Sequence, residues 1–218
     1  MGKKSAEPSL FPSLFYETQA GFPYIRVGGA DEVGRGCLAG PVVGAAVVLP
    51  LDVDFKKHPW LKEVRDSKQV NEKTRAELAP LIQDWALAYC VGVASVAEID
   101  QLNIYHASHL AIRRAVEGLK IRPEHLLVDG NTIPPQLLVN ATAIVKGDSH
   151  CLSIAAASII AKVWRDQKMV ELDQLYPGYE FEKNKGYPTP AHKKILGKMG
   201  LTEHHRRSFK PVADLINS

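Results

Sequence analysis

The stretch DEVGRGCLAGP occupies residues 31–41 and lies between two segments rich in apolar and β-branched residues, 24–31 and 42–49. Such segments joined by a glycine-rich turn predict two neighbouring strands. Asp31 and Glu32 close the first segment, and Gly34 and Gly36 follow within the turn. We therefore expect two carboxylates at the end of a strand, next to a loop lined by glycine.

The rest of the chain predicts helices and strands in alternation. Apolar spacing predicts helices over 71–86, 107–119 and 153–172, and strands over 89–96, 125–129 and about 141–145. This order favours an α/β domain with a layered mixed sheet. We divide the chain into a flexible N-terminal extension with three prolines (1–23), a central domain (24–175) and a basic, helical C-terminal segment (176–218).

The whole-chain composition is typical of a globular protein, with 218 residues, 45% apolar and 23% charged. A chain of this length buries about 70% of its unfolded surface and needs no disulfide or structural metal. Cys37, Cys90 and Cys151 show no paired spacing, which predicts reduced thiols and a cytoplasmic protein. We find no apolar run long enough to span a membrane, and we expect a monomer.

Positive charge is concentrated near the C-terminus. Between Lys183 and Lys210 the chain carries eight basic residues against one acid, a net charge of +7, so the remainder sums to −4 within the total of +3. A basic segment on a body of opposite charge predicts a phosphate-rich partner. The alternative is an ordinary solvated helical face.

Two further acids occupy positions like those of Asp31 and Glu32. Asp129 closes the strand predicted at 125–129, and Asp148 precedes the long helix. Carboxylates without His or Cys suit Mg²⁺ or Mn²⁺, and phosphodiester hydrolysis gains from two such ions about 3.5–4 Å apart. Each acid has an alternative explanation as a turn former or helix cap, Asp148 above all. Neighbours on a strand also point to opposite faces, so Asp31 and Glu32 share a site only where the strand ends or bulges.

The run DEVGRG resembles the signature of the type 2 ribonucleases H, the ribonuclease HII family. Further segments agree with that family in the same order. These are Asp66-Ser67-Lys68, Leu127-Val128-Asp129-Gly130-Asn131, Lys146-Gly147-Asp148, Lys185-Gly186-Tyr187-Pro188-Thr189 and His205-Arg206-Arg207-Ser208-Phe209. The resemblance covers residues 24–212, and the bacterial branch of the family is the most similar.

The resemblance implies an RNase H-like fold, a mixed five-stranded sheet flanked by helices with a small helical C-terminal appendage. It also implies endonucleolytic cleavage of the RNA strand of RNA–DNA hybrids, and cleavage 5′ of single ribonucleotides in duplex DNA, giving 3′-hydroxyl and 5′-phosphate ends. The expected cofactor is Mg²⁺ or Mn²⁺ in a two-ion mechanism. Asp31, Glu32, Asp129 and Asp148 are then the catalytic, metal-binding acids.

The same resemblance suggests which residues bind substrate. Gly34 and Gly36 lack a Cβ, so their backbone can approach a ribose, and Arg35 adds a charged contact. Tyr187 is expected to contact the 2′-hydroxyl and stack on the next deoxyribose; its alternative is a tyrosine packed under a loop. The other substrate-binding candidates are Ser67, Lys68 and Lys146, and those expected to hold backbone phosphates are Lys193, Lys194, Arg206 and Arg207.

Two residues of distinctive segments are left outside the predicted site. Asp166 lies up to roughly 27 Å from Asp148 along the predicted helix, so we interpret it as a structural ion-pair residue. His205 is interpreted as a surface or capping histidine. A helix-entry role is the alternative for Ser67.

Two other functions remain open from the sequence. One is a non-catalytic nucleic-acid binding module, which clustered acids facing phosphates argue against. The other is a nuclease of the same fold acting on another nucleic acid. The expected partners are RNA–DNA hybrid and duplex DNA containing ribonucleotides; we recognise no docking motif for a protein partner.

Overall fold

The computed structural model describes residues 11–217 and contains one mixed five-stranded sheet. The strands are β1 (Val27–Val33), β2 (Val42–Val48), β3 (Ala88–Ala94), β4 (His125–Asp129) and β5 (Asn140–Ile144), in the order β3-β2-β1-β4-β5. Strand β2 is antiparallel to both β1 and β3, whereas β4 runs parallel to β1 and β5 parallel to β4. The predicted mixed sheet is therefore confirmed.

Seven α-helices surround the sheet within the described residues. They are α1 (Phe15–Gln19), α2 (Glu72–Trp85), α3 (Val96–Glu117), α4 (Leu152–Leu175), α5 (Phe181–Asn184), α6 (Pro190–Met199) and α7 (Val212–Ile216). Short 3-10 turns cover Pro59–Glu63 and Gly147–Ser149. None of the described helices is long and apolar enough to cross a membrane.

The two faces of the sheet pack against different helices. Alternate residues of β2, Val43, Ala45 and Val47, pack with α2 and α4, whereas Ala46 and Val48 pack with α3. Helix α4 crosses β1 so closely that a Cβ on Gly29 would lie 2.2 Å from the Ser153 carbonyl carbon. The small residues of α4 and β1 thus let the helix lie directly behind the strand that carries Asp31.

Segment 1–23 was predicted to be a flexible extension. Residues 1–10 lie outside the described part, but α1 packs on the domain. The buried Glu17 carboxylate accepts hydrogen bonds from the Ser153 backbone N–H (2.9 Å) and hydroxyl (2.8 Å) at the start of α4. Helix α3 also begins earlier than predicted, at Val96, because Ser95 and Glu98 form a capping box at its start; the helix is kinked at the non-helical residue Asn103.

Candidate active site

Asp31 and Asp129 lie side by side at the ends of two parallel strands. The register pairs Ala30 with Val128, so the two aspartates that follow occupy equivalent positions and point toward the α4 face. Asp31 is only 6% exposed. Its Oδ1 accepts a hydrogen bond from the Glu32 backbone N–H at 2.7 Å. The predicted meeting of these two carboxylates at one strand end is thus seen in the structure.

Glu32 occupies the next position on β1, which continues without a break to Val33. Strand alternation therefore turns its side chain away from that of Asp31. Its Oε1 accepts a hydrogen bond from Arg35 Nη1 at 3.0 Å. Glu32 nevertheless lies near enough to Asp129 and Asp31 for their charges to interact. Three acids therefore meet where β1 and β4 end.

Asp148 reaches this strand end from the 3-10 turn Gly147–Ser149. Lys146, in a left-handed conformation (φ 56°), turns the chain there, and the Gly147 backbone N–H donates to Asp129 Oδ1 at 2.7 Å. Asp148 is buried. The start of α4 is not capped by Asp148, because its cap residue is Cys151 and the Glu17 carboxylate accepts the Ser153 N–H. The helix-cap alternative for Asp148 is therefore excluded.

These four residues, Asp31, Glu32, Asp129 and Asp148, are called the acidic cluster, and burial and mutual repulsion raise the pKa values of Asp31, Glu32 and Asp148. Burial, then the charges of Glu32 and Asp129, raises the pKa of Asp31 well above its usual range. Burial also raises the pKa of Glu32 against the opposing effect of Arg35. Burial, with the charges of Asp66 and Asp129, raises the pKa of Asp148. The carboxylates of the acidic cluster therefore repel one another, and burial leaves them poorly hydrated.

The donor set of the acidic cluster fits a hard divalent cation. It offers only carboxylate oxygens, the ligands preferred by Mg²⁺ and Mn²⁺, and a cation would relieve the repulsion that raises these pKa values. Within residues 11–217 no three His, Cys, Asp or Glu side chains are close enough to form a ready-made metal cage. Mg²⁺ takes one or two carboxylates and completes its shell with water and substrate phosphate, so it does not need such a cage.

Two serines and a lysine adjoin the acidic cluster. The Ser158 hydroxyl donates to the Ser67 hydroxyl at 3.0 Å, and Ser158 lies close enough to the Asp31 carboxyl to favour its charged form. Ser67 is buried, which places it behind the carboxylates. Lys68 is on the exposed side. Partial burial opposes it, but the nearby acids Asp66, Asp31 and Asp148 raise the pKa of Lys68 and hold its ammonium charged.

The glycine loop beside the acidic cluster, residues 34–41, is shaped by two buried arginines. Arg165 donates to the carbonyls of Ala39 (3.1 Å) and Pro41 (3.0 Å), and Arg206 donates to those of Gly40 (2.9 and 3.0 Å) and Arg35 (3.0 Å). Neither forms an ion pair within the described residues. Both guanidinium groups therefore draw loop carbonyls inward and leave positive charge beneath the loop.

The glycines of the loop differ in what surrounds them. Gly34 has φ +94°, and a Cβ there would lie 2.3 Å from Arg165 Nε. A Cβ on Gly36 would meet nothing within 4 Å. Arg35 between them is exposed. Gly34 is thus required by the backbone and its packing, whereas Gly36 leaves open space on the outer side of the loop.

Tyr187 lies between this loop and the acidic cluster. Its hydroxyl lies near the Cys37 thiol, and its ring centroid is 6.0 Å from Lys162 Nζ. Its phenol also interacts with the charge of Lys68. The structure therefore brings together the DEVGRG segment, the Ser67–Lys68 pair and the tyrosine of the KGYPT segment, as predicted. Lys146 is exposed at the edge of the same site.

The basic C-terminal segment divides into buried and exposed residues. The prediction that Arg206 holds phosphates is wrong, because its side chain is 0% exposed and is used by loop carbonyls. The surface position expected for His205 is also wrong, since it is 1% exposed. Lys193, Lys194 and Arg207 are exposed, as phosphate binding requires.

The interpretation of Asp166 as an ion-pair residue is confirmed. Its carboxylate lies 2.7 Å from Lys162 Nζ and 3.7 Å from Arg75 Nη2. Sequence reasoning missed Ser158, Arg165 and the buried role of Arg206. The only sequence signal for Ser158 was a serine in an otherwise apolar helix turn (IAAAS). Arg165 gave no such signal, because an arginine in a long helix does not show that distant carbonyls accept its hydrogen bonds.

A mixed sheet with acids gathered at the ends of adjacent parallel strands, beside a lysine and a glycine loop, defines an RNase H-like phosphodiester hydrolase. The family model for Ribonuclease HII matches residues 28–212. The ribonuclease HII of Paracoccus denitrificans is 53% identical over 193 residues, 87% of each chain, and that of Parabacteroides distasonis is 50% identical over 191 residues, 86% of this chain and 93% of its own. The chain belongs to the ribonuclease HII family, metal-dependent ribonucleases that act on RNA–DNA hybrids.

A solved structure agrees with this assignment. The ribonuclease H2 from Pyrococcus horikoshii matches with a TM-score of 0.74 at 27% identity, covering 88% of this chain and 98% of its own. The predicted RNase H-like fold and the predicted family are confirmed.

Proposed function

We propose that this protein also cuts duplex DNA on the 5′ side of single embedded ribonucleotides, and that it leaves 3′-hydroxyl and 5′-phosphate ends. The observation that carries the proposal is the direct contact between two features. The acidic cluster, suited to phosphodiester hydrolysis, adjoins a loop whose open side at Gly36 admits a ribose backbone. An enzyme built this way can test for one 2′-hydroxyl next to the bond it cleaves.

Asp31, Glu32, Asp129 and Asp148 would hold Mg²⁺ or Mn²⁺. Two such ions supply activation of the attacking water and stabilisation of the leaving oxygen. The chain itself keeps these carboxylates oriented: the Gly147 N–H donates to Asp129, Arg35 donates to Glu32, and the Glu32 N–H donates to Asp31, with Ser158 and its partner Ser67 close by. Ser67 thus serves the site through Ser158.

Substrate recognition is assigned to groups on the outer side of the site. The backbone of Gly34 and Gly36 and the Arg35 guanidinium contact the ribonucleotide beside the cut, and the Tyr187 ring contacts its 2′-hydroxyl and the next deoxyribose. Lys68 and Lys146 hold the phosphates nearest the acids. Contacts of this kind select for sugar and shape, not for base sequence.

Residues 176–218 provide the more distant part of the binding surface. Backbone phosphates of the duplex are contacted by the exposed Lys193, Lys194 and Arg207. These contacts weaken as the salt concentration rises. The free thiols Cys37, Cys90 and Cys151 fit a reducing cytoplasm. We infer a monomer that works during DNA replication and ribonucleotide excision repair.

The test is a cleavage panel with mapped ends. Substrates are a duplex with one ribonucleotide, an RNA–DNA hybrid, all-DNA and all-RNA duplexes, each with Mg²⁺ or Mn²⁺. We expect cutting 5′ of the embedded ribonucleotide and within the hybrid, loss of both in Asp129→Asn, and normal activity in Asp84→Asn, which changes an exposed acid of α2 in the same way.

Three other outcomes would contradict the proposed function. Salt-dependent binding without scission under either metal identifies a binding module. Preferred cutting of all-DNA or all-RNA duplexes identifies a nuclease of the same fold with another substrate. Full activity in Asp129→Asn would show that the acidic cluster does not carry out the reaction.

A further inference from the structure

Two buried histidines connect the C-terminal segment to Tyr187. His192 on α6 and His205 are 0% and 1% exposed, and their Nε2 atoms lie 3.2 Å apart. At the outer ends of the pair, His205 Nδ1 lies 3.0 Å from the Thr202 backbone N, and His192 Nδ1 lies 2.9 Å from the Tyr187 carbonyl oxygen. The three contacts form one continuous chain of hydrogen-bonding groups.

The two backbone groups determine where the imidazole protons are. A backbone N–H can only donate, so His205 Nδ1 accepts and its proton is on Nε2. A carbonyl can only accept, so His192 Nδ1 carries the proton and its Nε2 accepts. The tautomers fixed independently at the two ends are complementary at the middle, where His205 Nε2–H donates to His192 Nε2.

The surroundings keep both rings neutral. The rings of Tyr179 and Phe181 pack against His205 with centroids 5.4 and 5.6 Å away, and Phe181 also packs edge-on against His192 at 5.7 Å. Burial lowers the pKa of His192, and burial together with His192 and His204 lowers the pKa of His205 to about 4. Neutral rings are what the chain of donors and acceptors requires.

This chain of hydrogen bonds ends at the loop that contains Lys185, Gly186 and Tyr187. The same loop is also hydrogen-bonded to the glycine loop and to Arg165 beneath it. The Gly186 carbonyl accepts from the Leu38 N–H at 2.7 Å, and the Lys185 carbonyl accepts from Arg165 at 2.8 Å. The Tyr187 carbonyl accepts from His192 Nδ1–H at 2.9 Å and from the Thr189 backbone N–H at 2.8 Å. The peptide that carries the tyrosine ring is therefore held between two sets of buried donors.

We propose that His192 and His205 are positioning residues for Tyr187, and that the directed chain from Thr202 through both imidazoles sets how well the enzyme recognises an RNA-to-DNA junction. This rests on the proposed function, in which Tyr187 contacts the sugars at that junction. Neither histidine touches substrate; both act through the peptide of Tyr187. The contacts at Lys185 and Gly186 remain without the histidines, as do the backbone hydrogen bonds of Tyr187 to Asn184 and Thr189, so loss of His192 shifts the ring without unfolding the loop.

The first test needs no variant. Nitrogen NMR of the imidazoles in the wild-type chain at neutral pH should show the proton of His192 on Nδ1 and that of His205 on Nε2. The opposite tautomer at either residue, or a rapidly averaging mixture, overturns the proposal. This result does not depend on nuclease activity, so it stays informative whatever the cleavage panel shows.

The second test compares His192→Asn with His192→Leu. Both lose the link to His205, but the Asn amide can still donate to the Tyr187 carbonyl, whereas Leu cannot. One buried hydrogen bond corresponds to about a tenfold effect. We expect His192→Leu to lose about tenfold in kcat/KM at an embedded ribonucleotide, which would bring it close to Tyr187→Ala on that substrate. Its kcat/KM on an all-RNA strand of a hybrid should change little. The resonance of the Tyr187 ring should shift. His192→Asn should retain most of both signals.

The outcomes separate this proposal from the one it rests on. If Tyr187→Ala keeps full junction preference, the role of Tyr187 in the proposed function fails, while the ring resonance still tests the positioning. If Leu and Asn at position 192 give the same junction preference and the same Tyr187 resonance, His192 has only a packing role. If His192→Leu does not fold, His205→Leu replaces it: the proton of His192 should stay on Nδ1, where the Tyr187 carbonyl accepts it, while the Tyr187 ring resonance should shift, and an unshifted resonance would contradict the positioning role.

Discussion

Removing one charge from the acidic cluster should stabilise the metal-free protein while it abolishes activity. The pKa of Asp31 is raised well above its usual range, because the side chain is 6% exposed and close to Glu32 and Asp129. Asp31→Asn keeps the shape and keeps an oxygen that accepts the Glu32 N–H. The substitution therefore removes the buried charge and leaves the hydrogen bond in place.

The expected gain is that of relieving an uncompensated buried group, about 1–3 kcal/mol. For a domain of this size each kcal/mol raises Tm by about 2–4 °C. The gain depends on pH because the pKa of Asp31 is raised in the folded state above its unfolded value of 3.8. Between these two values the folded state holds a proton that the unfolded state has lost, so wild-type stability falls as pH rises through that window. Asp31→Asn escapes this loss, so the two proteins should be alike near pH 3.8 and furthest apart at pH 8.

Urea and thermal unfolding from pH 4 to pH 8, first with EDTA and then with millimolar Mg²⁺ or Mn²⁺, measure this difference. Divalent ions should raise the Tm of the wild type more than that of Asp31→Asn, because a ligand stabilises the state that binds it. Asp84→Asn, an exposed acid on α2, is the control and should follow the wild type. An Asp31→Asn protein that is less stable at pH 8 in EDTA, or a difference that stays constant with pH, would refute the reasoning.

Three further predictions use single substitutions. Gly34→Ala should cost about 2–3 kcal/mol in urea unfolding because of its φ of +94° and the clash with Arg165, whereas Gly36→Ala, which has open space, should leave stability unchanged. Glu17→Gln should be more stable than the wild type at pH 8 and equal to it below pH 4.5, because burial raises the pKa of Glu17; equal unfolding midpoints at both pH values would contradict this. Lys193→Gln should weaken duplex binding equally for all sequences and lower the slope of log K against log salt by about 1; an unchanged slope would remove Lys193 from the phosphate contacts.

The sheet and the acids at its strand ends could be predicted because the signals are local. An apolar run that stops at an acid marks both the strand and the residue that its end presents, and this holds for Asp129, which closes β4 as predicted. Asp31 lies on the predicted strand, but β1 continues two residues beyond it, to Val33. Ordered motifs then identified the family. The contact between Glu32 and Arg35, only three residues apart, is of the same local kind.

The parts that could not be predicted depend on partners far away in the chain. Arg206 looks like any other residue of a basic run, and its burial depends on carbonyls of Gly40 and Arg35, 166 and 171 residues away. The same is true of Glu17, which caps a helix that begins 135 residues later. A polar residue predicts solvent exposure unless a distant group satisfies it, and no single-sequence pattern shows that group.

The C-terminal basic run therefore combines two physical roles that net charge alone does not separate. Arg206, with Arg165, places uncompensated positive charge beneath residues 34–41 and binds their carbonyls, which favours phosphate on the outer side of the loop even though neither arginine can touch it. Lys193 and Lys194 lie outside and are free to contact phosphates directly. Loss of an exposed lysine should lower affinity alone, whereas loss of a buried arginine orphans several carbonyls and should lower stability and sugar recognition together. The glycine loop is consequently defined as much by the buried cations behind it as by the glycines in it.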